Sequence, residues 1–130
     1  MLTKNFIKSF SILSLFILIN FSANAGMSDE DKSKSIECTG IYYANSMIPQ
    51  GELELEKIVH SFAAKKFLNS YLIQEGVKKE KLNEELLKIV DVRYGKPYEE
   101  KTTNECDKLI YNLISGSKDE IIKIAESGIY

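Results

Sequence analysis

Tryptophan is absent from this chain of 130 residues, histidine occurs once, and cysteine and proline occur twice each. One histidine and two cysteines remove most catalytic and metal-site templates at once. Two prolines and seven glycines exclude a Pro/Gly-rich linker protein. Seventeen Lys and Arg against nineteen Asp and Glu give a net charge of −2. That balance implies no basic face strong enough for nonspecific nucleic-acid binding. What remains, 44 % hydrophobic and 28 % charged residues, is the composition of one ordinary globular domain.

Residues 1–25 read as an address. Lys4 and Lys8 form a positive start, and Phe10 to Phe21 is an apolar stretch broken by Ser11, Ser14 and Asn20. Ala23-Asn24-Ala25 then supplies a small-x-small cleavage site, so a Sec-type signal peptide cut before Gly26 is expected. The apolar run is about 12 residues, short of the roughly 20 needed to span a bilayer. A lipid anchor requires cysteine after the cut, and Gly26 stands there instead. Cleavage leaves residues 26–130 as one domain with a net charge of −4, and no second hydrophobic span follows. The expected location is therefore the periplasm or the exterior, without stable membrane insertion. A domain of this size buries only about 65 % of its unfolded surface, so a covalent staple would help it.

Export places both cysteines in an oxidising compartment, where an even count implies a disulfide. Cys38–Cys106 is the one intramolecular pairing, and it closes a loop of 69 residues. Loop-closure entropy puts its contribution at about 4 kcal/mol. Two free buried thiols, or a bridge between chains, are the alternatives. The spacing is neither CxxC nor CxxCH, so thioredoxin-type redox chemistry and covalent haem have no support.

The mature segment reads as four to five helices in an all-α bundle, since Asn-Gly and Asp-Gly hairpin signals and alternating β-branched runs are missing. Ser28 with Asp29, Glu30 and Asp31 caps a first helix, whose expected stripe is Ile36, Gly40, Tyr43, Ala44 and Met47. Gly40 permits a close helix approach. Pro49-Gln50-Gly51 ends this helix. A second starts near Glu52, with Leu55, Val59, Phe62, Phe67 and Tyr71 as its expected stripe and Ile58 and Ala63 beside it, and stops at Gly76. A third runs from about Lys78 to Tyr94, burying Leu82, Leu86, Ile89 and Val90, before Gly95 and Pro97. Thr102, Thr103 and Asn104 suit the cap of a fourth, whose apolar face is Cys106, Leu109, Ile110, Leu113 and Ile114. Ser117-x-x-Glu120 reads as a capping box opening a fifth.

Few residues suggest chemistry. His60 lies mid-helix with Glu56 one turn earlier, and reads as a surface or boundary residue without the further ligands or nucleophile that a site requires. Glu52, Glu54 and Glu56 alternate along the chain and do not converge on a helix; they read as charges complementing the dipole of a first turn. Lys78, Lys79, Glu80, Lys81, Glu84 and Glu85 read as a solvated mixed-sign face. No catalytic, cofactor or metal site is expected. Seven tyrosines suggest amphipathic contact area of the kind interfaces use. Tyr43 belongs to the core stripe and Tyr42 is turned about 100° from it, so Tyr42 is one expected anchor. Tyr98, in the polar loop after Pro97, and the terminal Tyr130 are the others.

A signal peptide, a first helix bearing Cys38-Thr39-Gly40-Ile41-Tyr42-Tyr43-Ala44, a helical middle and a second cysteine at 106 resemble small cell-envelope proteins of Gram-negative bacteria. Some of these are periplasmic immunity proteins against secreted peptidoglycan amidases, some are phage-encoded lysozyme inhibitors, and others are acid-stress chaperones with one long disulfide. The resemblance implies a nonenzymatic protein that binds another periplasmic protein, with a chaperone-like envelope-stress role as the alternative. The aromatic residues expected around the first cysteine of the acid chaperones are not matched here.

Overall fold

The computed structural model describes residues 26–128; the signal-peptide reading of residues 1–25 and the terminal Tyr130 lie outside them. Five helices and no strand make up the described residues: α1 (Asp29–Ser46), α2 (Leu55–Gln74), α3 (Lys79–Arg93), α4 (Glu100–Leu113) and α5 (Ser117–Ser127). None is long and apolar enough to cross a membrane.

The start of α1 follows its sequence signals. The Ser28 hydroxyl accepts the Asp31 N–H at 3.1 Å, and three acids occupy the positive end of the helix. Further along, α1 becomes the central element, packed by α2, α3 and α4. Nearly every side chain from Cys38 to Ser46 is therefore buried, including Thr39, Asn45 and Ser46. Their polar groups are satisfied locally or across the core: Thr39 donates to the Ser35 carbonyl, Ser46 to the Tyr43 carbonyl, and Asn45 Nδ2 to Thr103 Oγ1 at 3.1 Å. The expected single stripe on α1 is thus corrected. Enclosed on three sides, the second half of the helix has no polar face to define one, and Met47 lies past its end, 43 % exposed.

The stripe of α2 is also rotated from expectation. Ile58, Ala63, Ala64, Leu68 and Leu72 are its buried apolar residues, whereas Leu55 is 58 % exposed. Small alanines let α1 and α5 approach from two sides, and the larger Phe67 and Tyr71 stack at the margin, with ring centroids 5.9 Å apart. The helix begins at Leu55, so of the three glutamates only Glu56 lies in its first turn. Its end is a Schellman motif. Gly76, at φ +95°, donates to the Ile73 carbonyl and Val77 to that of Leu72, while Val77 packs on the cluster containing Leu72.

The main core joins Cys38, Ile41 and Tyr42 of α1 to Ala63, Ala64 and Leu68 of α2. It continues through Cys106 and Ile110 of α4, Ile114, and Ile121 of α5. Through it runs the Cys38–Cys106 disulfide, with Cα atoms 5.4 Å apart. A second, smaller cluster of Leu72, Leu82 and Leu86 seats α3. Two expected caps are corrected. The helix α4 starts at Glu100, where Thr102 and Thr103 lie inside its first turn and bond back to Glu99. Ser117 is already helical, so its hydroxyl donates to the Ile110 carbonyl instead of closing a capping box, and left-handed Gly116 takes the cap position.

Candidate functional site

The helix α3 borders an open groove on the surface. It leans on α1, where Gly40 provides the approach: a Cβ there would lie 2.6 Å from Ile89 Cγ2 and 2.7 Å from its Cβ. Beyond this tight point α1 and α3 diverge around a groove of about 1170 Å³. Half-buried Ile36, Val77 and Ile89 line it, together with Val92, which is 65 % exposed. Five cations (Lys32, Lys78, Lys81, Lys88 and Arg93) stand around these residues against three anions, Asp29, Glu37 and Glu85. The remainder of the domain has ten cations against sixteen anions. The groove is thus the cationic part of an acidic protein. Lys88 is held by Glu84 and Glu85 at 3.8 and 3.5 Å; the other four form no ion pair among the described residues.

Arg93 also lines a second cleft of about 500 Å³, which extends the same surface past the end of α3. Its lining includes Met47, Ile48, Pro49, Tyr94, Pro97 and Tyr98. Tyr94 is 69 % exposed. Tyr98 is half-buried, and Lys57 sits 5.3 Å from its ring centroid while reaching Glu54 and Glu100 at 3.6 and 3.7 Å. That clamp gives the Tyr98 ring a set orientation at the edge of the cleft.

A different arrangement surrounds the single histidine. His60 Nε2 lies 2.9 Å from Asp107 Oδ1, and the Tyr42 hydroxyl donates to the same oxygen at 2.5 Å. The Tyr42 and His60 rings meet edge to face, 5.9 Å between centroids. One carboxylate of α4 therefore ties α1 to α2. Burial first, then the Asp107 charge and hydrogen bond, push the Tyr42 phenol far above its usual ionisation range. Burial and the same charge push neighbouring Tyr111 up to about 12. An imidazole oriented by a carboxylate is half of a nucleophile-activating set. Ser61, the hydroxyl next along the chain, is wholly buried with no hydrogen-bond partner, so it does not meet that imidazole. Among the described residues no group of three His, Cys, Asp or Glu could hold a metal ion. What the arrangement does physically is join three helices.

No known family model matches this chain, and no curated protein or solved structure is recognisably similar to it.

The three tyrosines singled out as anchors fall in three different places. Tyr42 is corrected: it is wholly buried, because α4 covers the side of α1 opposite α3. Its ring is core and its hydroxyl is spent on Asp107. Tyr98 lines the second cleft, and Tyr130 lies outside the described residues. The sequence reading missed the groove and Tyr94. Its mixed-sign segment from Lys78 to Glu85 does supply part of the rim, but only the packing of α3 on α1 places Lys32 across from it. A signal for Tyr94 existed in Arg93-Tyr94-Gly95, where the ring falls one position after the last helical residue.

Proposed function

We propose that this protein is exported, cut before Gly26, and acts in the periplasm by binding another protein along the α1–α3 groove and the adjoining Tyr94–Tyr98 cleft. The carrying observation is the groove itself: five cations, four of them without an ion pair among the described residues, over half-buried aliphatic side chains, in a domain that is otherwise acidic. Such a surface fits a partner segment that presents carboxylates beside apolar side chains. Within this reading, the partner is a cell-wall-degrading enzyme and the protein its immunity or inhibitor protein. The long disulfide supports export, since it persists only in an oxidising compartment.

The test is native purification of the exported protein with its associated proteins, followed by the variants Lys81→Glu and Tyr98→Ala. One stoichiometric partner is expected, lost or weakened by at least about tenfold in both variants, with helical circular dichroism unchanged. Retention of the partner by both folded variants refutes the groove. Co-purification of many substoichiometric proteins only after acidification supports the chaperone-like role instead.

A further inference from the structure

The chain enters the fold beside a carboxylate that lacks a counter-charge. Glu75 is half-buried at the C-cap of α2, where the helix dipole is negative and an anion is disfavoured. No lysine or arginine forms an ion pair with it among the described residues, and the last turn of α2 holds no basic residue. Its Oε2 accepts the Met27 N–H at 3.1 Å. Met27 in turn packs against both apolar clusters and accepts the Ser35 hydroxyl at its sulfur, so this approach is held from several sides. Gly26 comes so near that a Cβ there would press on the same carboxylate oxygen. Burial, then the Glu75 charge and the hydrogen bond that the Tyr71 hydroxyl donates to this carboxylate, push the ionisation of the Tyr71 phenol upward, so the carboxylate has hydrogen-bond donors but no cation.

Gly26 is also the residue that follows Ala23-Asn24-Ala25. Hydrolysis of the Ala25–Gly26 amide breaks the C–N bond and adds one water: its oxygen leaves with Ala25 as a carboxylate, and both its hydrogens go to the Gly26 nitrogen, which becomes an α-ammonium. We propose that Glu75 is a built acceptor for this new ammonium, so that processing supplies the cation the α2 C-terminus lacks and locks the start of α1 onto α2. The nitrogen is one bond from the Gly26 Cα, which puts it within about 5 Å of the carboxylate. Glycine at this position leaves the carboxylate room to reach it. This inference rests on the export reading above, and not on the groove.

The full chain is expressed with its leader in a Gram-negative host and recovered from the periplasm. Intact mass reads the first residue, and the pH dependence of α-amine acetylation reads its environment. A mass corresponding to residues 26–130 is expected; any other start overturns the processing step. An α-amine normally titrates near 7.7–8.0; beside Glu75 it should titrate about one unit higher, giving acetylation about tenfold slower at pH 7. Glu75→Gln keeps an acceptor for the Met27 N–H and should return the amine to its ordinary range. An ordinary titration in the wild type, or an elevated one unmoved by Glu75→Gln, overturns the capture while leaving the processing intact.

Discussion

Replacing Gly40 by alanine sets two well-understood effects against each other. Alanine favours an α-helix over glycine by about 0.5–1 kcal/mol, partly by restricting the unfolded chain. At an exposed site that gain would stand alone. At Gly40 the new methyl meets three atoms of Ile89, all closer than 3.0 Å, and one is its Cβ, which cannot swing aside. Relief requires α3 to move. Overpacking of this kind costs about 1–3 kcal/mol. The lower half of that range is expected, because α3 rests on a small cluster of Leu72, Leu82 and Leu86 and can shift without opening the main core. Net destabilisation should be about 1 kcal/mol, read as a lower urea midpoint with an unchanged m-value. Ile89→Ala removes two of the three clashing atoms, so the double variant should lose less than the two single losses combined, with a coupling of at least about 0.5 kcal/mol. A Gly40→Ala protein more stable than wild type would refute the close approach of α1 and α3.

Three further outcomes follow from the core. Cys38→Ser should lower stability by about 2–5 kcal/mol and leave one buried thiol that labels on unfolding, where the wild type labels at none. Tyr42→Phe keeps the buried ring but loses the bond to Asp107, and should cost about 1–2 kcal/mol in urea unfolding with unchanged circular dichroism; a neutral result would mean that the bond carries no net stability. In alkaline titration Tyr42 and Tyr111 have ionisation raised in the folded state, so their contribution is fully present below about pH 10 and is lost as pH rises beyond it. Phenolate absorbance should therefore show a fraction of the tyrosines ionising late, with unfolding between about pH 10 and 12, and simultaneous ionisation of all of them in the folded protein would contradict the burial.

The number and order of the helices were readable because their ends are chemically marked. Ser28 with its acids, Gly51, Gly76, Gly95, Gly116 and Gly128 punctuate the chain, and the structure uses each near the expected boundary. The pairing of Cys38 with Cys106 was readable for a different reason: two cysteines allow one intramolecular bond. Helix faces were less readable. Periodicity assumes one buried side and one wet side, whereas α1 is covered by three neighbours and buries Ser35, Thr39, Asn45 and Ser46. Tyr42 shows the consequence. Its position about 100° from the Tyr43 stripe suggested the surface, yet the ring is core and Asp107, 65 residues away, supplies the hydroxyl with a partner. Nothing local to Tyr42 announces that partner.

Surface function was harder to read than the core because it is produced between elements. Lys32 and Ile36 belong to α1, Lys81, Ile89 and Arg93 to α3, and Val77 to the turn between α2 and α3. On each segment alone these are an ordinary polar face and a few aliphatic residues. They become one cationic groove because Gly40 fixes how closely the two helices meet at one point. Leu87, Val92 and Tyr94 are exposed. The groove lies between α1 and α3, and the disulfide and the Asp107 joint tie α1 to α4 and α2.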